Sequence, residues 1–269
     1  MDKQFNVIDL FSGCGGLSYG FQQAEYRISV ALDNWDFALK TLKYNHSGVD
    51  IICDSISNVN PLNIKNEYNI DVIIGGPPCQ GFSIAGKRII NDERNKLYKE
   101  FVKYVAVIRP KIFLMENVPN LASMGNGVIL ESILSDFNKI GYKLNWKILK
   151  ASDYGVPQNR RRFFLIGTQN KIFDFNALSI YKTKEITSKE AISDLPEGDI
   201  KPEDGYPIHP LSEYQVEMRK ESLGIYNHIT TKHTEKTISI IKMVPDGVIT
   251  KIYRYIFKKR EMLILHGQG

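Results

Sequence analysis

Val7-Ile8-Asp9-Leu10-Phe11-Ser12-Gly13-Cys14-Gly15-Gly16 is an apolar run that breaks on a glycine-rich turn. The run reads as a buried strand. The glycines let the backbone bend tightly and admit a ligand, and Leu17, Phe21 and Ala24 then recur at helical spacing. A strand that enters such a turn and leaves it as a helix is the opening of a doubly wound α/β fold. The next strand, Ser29 to Leu32, ends at Asp33, 20 residues beyond Gly13 and at the distance where an acidic side chain holds ribose hydroxyls. The turn lacks the full Gly-x-Gly-x-x-Gly spacing, so a nucleoside cofactor without a pyrophosphate is expected. Trp35 reads in two ways, as a face for a purine or as an aromatic that opens a core-facing helix. Asp54, after the third short strand, either accepts from an exocyclic amine or caps a helix.

The same alternation continues outward. Trp35 to Asn45 reads as a helix, while Ile51 to Cys53 and Asp71 to Ile74 read as strands. Leu97, Phe101, Val105 and Ile108 form one helical stripe, which Pro110 stops. Ile112 to Met115 is a strand. Ile129, Ile133, Phe137 and Ile140 repeat the stripe, with Gly141 as the cap, and Leu144 to Leu149 and Phe163 to Ile166 are later strands. Strands alternating with such helices imply a mostly parallel, Rossmann-like sheet covered on both faces. After Gly167 the pattern weakens, and prolines at 196, 202, 207 and 210 punctuate a polar stretch. The expected organisation is a catalytic domain over residues 1–185 and a partial second lobe over 186–269.

Composition narrows the class. The 269 residues are 43% hydrophobic and 24% charged, which excludes a disordered chain, and no apolar run approaches the length of a membrane span. No basic segment followed by a long apolar stretch opens the chain, so no signal peptide is expected. Cys14, Cys53 and Cys79 make neither a disulfide framework nor a zinc spacing. A reducing, cytoplasmic setting without a metal follows, with Cys14 and Cys53 expected as buried, inert thiols. Of the net charge of +5, residues from Gly247 onward carry +4, leaving +1 for the rest. Nucleic-acid contacts in the body must therefore come from local clusters, of which Arg160-Arg161-Arg162 is the densest.

Gly75-Gly76-Pro77-Pro78-Cys79-Gln80-Gly81-Phe82-Ser83 follows a strand that ends at the carboxyl edge of the sheet. Two prolines stiffen the chain ahead of Cys79, and small residues follow it, which suits a nucleophile held beside a mobile loop. Glu116-Asn117-Val118 ends a strand at the same edge, where a partly buried carboxyl can serve as proton donor. Gln158, Arg160 and Arg162 share a face if their segment is extended, and arginine forks suit phosphate and base oxygens.

Taken in order, Asp9–Gly16, Pro77-Pro78-Cys79-Gln80, Glu116-Asn117-Val118 and Gln158-x-Arg160-x-Arg162 resemble the cytosine-C5 DNA methyltransferases, which use S-adenosylmethionine. Weaker matches are Asp92-x-Arg94-Asn95-x-Leu97 and Ala191-Ile192-Ser193-Asp194-Leu195-Pro196, and the resemblance runs over residues 5–246. It implies a bacterial enzyme of the restriction–modification type that acts on double-stranded DNA. It implies Cys79 as nucleophile, Glu116 at the cytosine N3 and amine, Arg162 at O2, and Arg160 supporting the loop or a phosphate. Asp9, Phe11, Gly13, Cys14, Gly15, Gly16, Leu17, Asp33, Trp35, Asp54, Ser55, Pro77 and Leu97 would hold the cofactor. Gln80, Ser83, Asn117, Val118 and Gln158 would face the substrate, and Gln80 to Arg94 would form a lid. The tRNA-modifying sister branch has similar motifs, though Gly81-Phe82-Ser83 looks more like the bacterial DNA enzymes. A nicotinamide oxidoreductase does not account for the Cys79 and Glu116 motifs.

The resemblance fades near Val244-Pro245-Asp246-Gly247, and the family's final Gly-Asn motif and closing helix are not recognisable. Two expectations follow: a truncated or frame-shifted reading, or one subunit of a split enzyme whose partner supplies the missing half. Either way, weak or no activity is expected of the chain alone, down to a fragment that only binds cofactor or DNA.

Overall fold

The computed structural model describes residues 4–78 and 96–243. The chain divides into two compact units, Met1–Thr187 and Ser188–Gly269.

Among the described residues the first unit has seven strands: β1 (Asn6–Leu10), β2 (Arg27–Asp33), β3 (Asp50–Cys53), β4 (Val72–Gly75), β5 (Ile112–Asn117), β6 (Lys143–Lys150) and β7 (Arg161–Thr168). Their order is β3-β2-β1-β4-β5-β7-β6. The run from β3 to β5 is parallel, and β7 lies antiparallel to both β5 and β6. The helices of this unit are α1 (Gly16–Gln23), α2 (Asp36–Asn45), α3 (Pro61–Glu67), α4 (Lys96–Ile108) and α5 (Val128–Lys139). Strand order reverses between β1 and β4, so the crevice at their carboxyl ends is where such a sheet takes a ligand.

The apolar stripes do what their spacing dictates. Phe101 of α4 and Phe137 of α5 are fully buried against Phe113 of β5, with Phe113 and Phe137 stacked at 4.2 Å between ring centroids. Gly141 closes α5 at φ +85°, its N–H on the Asn138 carbonyl and that of Tyr142 on Phe137. The opposite face holds Val7, Ile28, Val72 and Ile74 under Leu17 and Phe21 of α1. α3 is not foreseen in the sequence. It has only seven residues, and its signals are local: Asn60 Oδ1 accepts from the Leu62 N–H, and Pro61 sits at its start. Among the described residues no helix is long and apolar enough to cross a membrane.

Both cysteines read as buried are exposed. Cys14 sits in the turn after β1, and Cys53 ends β3, which is the edge strand among the described residues.

The second unit carries α6 (Ser188–Ile192), α7 (Glu213–Arg219) and α8 (Glu235–Lys242) among its described residues. Arg219 ties it together: it pairs with the buried Asp194 carboxylate and lies 3.9 Å over the Tyr206 ring. Gln215, also buried, accepts from the Leu211 N–H and donates to Ser193.

Candidate active site

Four parallel strands deliver their last residues to one crevice. Phe11 leaves β1 at φ +60°, a strained conformation for an aromatic residue and one that concentrates at functional sites. Asp33 ends β2. Its Oδ2 accepts from the Gly13 N–H and its Oδ1 from the Trp35 N–H, both at 2.9 Å. Asp54 follows β3, and its Oδ1 accepts from the Ser55 N–H and from Asn58. Between them opens a cleft of about 270 Å³, lined by Phe11, Leu32, Asp33, Asn34, Asp54, Ser55, Ile56, Gly76, Pro78 and Leu97.

Phe11, Asp33, Asp54, Ser55 and Leu97 are the sequence-derived members of that lining. Leu32, Asn34, Ile56, Gly76 and Pro78 are additions. Each neighbours a residue that the motifs single out, and adjacency was the available signal. Trp35 is not a core aromatic; it is 63% exposed at the start of α2. Gly13, Cys14, Gly15 and Gly16 form the turn beside the cleft but do not wall it.

Two residues expected at the cofactor lie away from the cleft lining. Leu17 packs into the core beneath α1 rather than lining the cleft. Asp9 is fully buried, because strands of a parallel sheet are covered on both faces. Its Oδ2 accepts from Ser18 Oγ at 2.7 Å, while Oδ1 finds no partner among the described residues. Burial raises the Asp9 carboxyl to about 7, against the Ser18 hydrogen bonds, with the charge of Asp33 adding to the rise. A carboxyl raised in the folded state contributes fully below its unfolded value and loses that contribution as pH climbs through about 7. The parent should therefore lose about 3 kcal/mol of stability between pH 5 and 9 that Asp9→Asn does not lose. Denaturant titrations of both proteins at the two pH values check this.

The second half of the site lies at the ends of β5 and β7. Glu116 pairs in register with Phe164, which makes Arg162 its diagonal neighbour on the same face. Arg162 Nε lies 2.7 Å from Glu116 Oε1, with both side chains partly exposed. A Cβ at Gly76 would meet Glu116 Oε2 at 3.1 Å, so the glycine lets the exit of β4 run alongside the carboxyl. In the resting structure Glu116 thus accepts a charge-assisted hydrogen bond from Arg162.

Asn117, expected to face the substrate, points into the core. It is buried, its Nδ2 donates to the Pro77 carbonyl at 2.8 Å, and its Oδ1 accepts from the Val118 N–H. Pro77, expected at the cofactor, accepts this bond while its neighbour Pro78 lines the cleft. The bond fixes the chain two residues ahead of position 79. Asn117→Ala should lower kcat about 10²-fold with little change in cofactor Kd, because misplacement of roughly 1 Å has that cost. Steady-state kinetics paired with cofactor titration check it.

Val118 is exposed beside this pair. Gln158 and Arg160 do not share a strand with Arg162. The Gln158 N–H closes on the Val156 carbonyl and the Arg160 N–H on Gln158, so the segment turns tightly and β7 begins only at Arg161. Cys79, Gln80, Ser83 and the expected lid to Arg94 lie outside the described residues. A more open cavity of about 310 Å³ in the second unit, walled by Pro196, Gly198 and residues 227–230, gathers none of the candidate site residues.

The family model for C-5 cytosine-specific DNA methylases matches residues 5–262. The chain belongs to this family. The match extends past residue 246, where the resemblance read from motifs fades, so the tail is family sequence farther than expected. Among its relatives, the Type II methyltransferase M.DdeI of Desulfomicrobium norvegicum is 38% identical over 258 residues, covering 91% of this chain and 62% of the relative. M.AgeI of Thalassovita gelatinovora is 38% identical over 257 residues, covering 82% and 59%. The chain spans about three-fifths of the length of these curated relatives. A solved structure of a protein encoded within an E. coli prophage is 35% identical, with a TM-score of 0.64 over 72% of this chain and 56% of that one. The Spodoptera frugiperda DNMT2, 21% identical with a TM-score of 0.58 over 74% and 61%, shares the fold.

Proposed function

We propose that this methylase transfers a methyl group from S-adenosylmethionine to C5 of a cytosine flipped out of duplex DNA, as a modification enzyme of the restriction–modification type. One observation carries the reading. The cleft at the strand switch point sets two carboxylates, Asp33 and Asp54, among apolar Phe11, Ile56 and Leu97, with no cationic side chain among the described residues of its lining. Such a lining repels a polyphosphate and suits a nucleoside that bears positive charge. Asp33 would take the ribose hydroxyls, Asp54 and Ser55 the adenine edge, and Phe11, Ile56 and Leu97 the purine faces. When bound, S-adenosylmethionine supplies an electrophilic sulfonium methyl.

The protein groups supply the rest. The Cys79 thiolate adds to cytosine C6 and makes C5 nucleophilic. Glu116 hydrogen-bonds N3 and the exocyclic amine, stabilising the charge that develops in the ring, and Arg162 moves from Glu116 to the cytosine O2. After C5 takes the methyl group, C5 loses its proton to solvent base. The C6–S bond then breaks and returns the thiolate. A stacked base exposes none of these atoms, so the cytosine must leave the duplex. Isothermal titration with S-adenosylmethionine, followed by assay of labelled methyl incorporation, tests the proposal. Saturable binding and label at cytosine C5 of duplex DNA, weak for this chain alone, are expected; no binding, or label in tRNA alone, contradicts it.

A further inference from the structure

We propose that His46 is a positioning residue for the cofactor, bracing the glycine turn and through it the Asp33 carboxylate; this rests on the reading of the cleft given above. His46 takes no part in the chemistry, yet it is 4% exposed and sits where three elements meet. Its backbone N–H closes α2 on the Leu42 carbonyl. Its Nδ1 lies 2.5 Å from Gln22 Oε1 on α1, and its ring meets that of Tyr19 edge-on at 6.3 Å. Its other edge abuts the turn: a Cβ built on Gly15 would lie 2.5 Å from Nε2 and 2.8 Å from Cδ2.

Gly15 is thus fixed twice, by φ +89° and by the imidazole. The turn is short and tightly bonded, with the Gly15 N–H on the Ser12 carbonyl at 2.9 Å. On the cleft side it ends in the Gly13 N–H that holds Asp33 Oδ2. Pressure on Gly15 from the helix side therefore sets where Gly13 presents its N–H, and that sets where Asp33 presents its carboxylate. Burial lowers the His46 pKa below its ordinary value, outweighing the hydrogen bond to the Gly15 backbone.

The test measures S-adenosylmethionine Kd by calorimetry and Tm for the parent, His46→Ala, His46→Asn and His46→Gln. Alanine should weaken binding about tenfold, the size of a contact coupling. Asparagine keeps a partner for Gln22 but does not reach Gly15, and should bind as weakly as alanine. Glutamine extends an amide to the place of Nε2 and should restore most of the affinity. Gly15→Ala should add less to Kd in the His46→Ala background than in the parent, because the atoms its Cβ would meet are gone. Variants that lose Tm but bind like the parent, or a Gly15 effect identical in both backgrounds, would overturn the inference. A parent that does not bind at all overturns the cofactor reading itself.

Discussion

Cys79→Ser should abolish methyl transfer, with a loss on the order of 10⁴-fold or more in labelled methyl incorporation into duplex DNA. At neutral pH a cysteine holds a few per cent of its population as a strongly nucleophilic thiolate, whereas a serine hydroxyl holds essentially none. Among the described residues that line the cleft there is no imidazole to activate a hydroxyl. The chain arrives at Cys79 already fixed, through Pro78 at the cleft wall and the Asn117 bond to Pro77. Cofactor Kd should stay at the parent value, since the cofactor side of the cleft is untouched. Methylation at a rate comparable to the parent would show that another group adds to the base.

Glu116→Gln should cost about 10²–10⁴-fold in kcat, the span of a positioned acid–base group. Glutamine preserves the shape but can neither carry a proton to N3 nor stabilise the electron-rich ring through a charged hydrogen bond. The same change removes the carboxylate that holds Arg162 at 2.7 Å in the resting structure. Both side chains are partly exposed, so the stability effect should stay within about 1 kcal/mol. Single-turnover rates at saturating cofactor, beside a denaturation curve, separate the two effects. Equal fractional losses in rate and stability would mark Glu116 as scaffold.

The fold was legible because its signals are periodic. The strand–turn–helix at Val7–Ala24 and the stripes on α4 and α5 state which face is buried, and Asp33 follows from distance along the chain alone. Side-chain direction was less legible. Asp9 and Phe11 lie in one motif, yet one is sealed between helices and the other opens onto the cleft. In a strand buried on both faces, hydrophobicity does not say which way a polar residue points. Asn117 follows Glu116, so alternation turns it away from the pair and into the core, where Pro77 takes its amide. Gln158 and Arg160 mislead for the converse reason, since period-two reasoning needs an extended backbone that the Val156–Arg160 turns do not provide. The exposure of Cys53 depends on β3 being an edge strand, a property of strand order that no local pattern encodes.

The central claim is covalent attack by Cys79 on cytosine C6, and trapping on duplex DNA that carries 5-fluorocytosine tests it most directly. Fluorine at C5 blocks the proton loss that would release the enzyme. In the presence of S-adenosylmethionine the parent should therefore form a protein–DNA adduct stable to denaturing electrophoresis, and Cys79→Ser should form none. Saturable cofactor binding without any adduct, or an adduct that survives the Cys79→Ser change, would contradict the account.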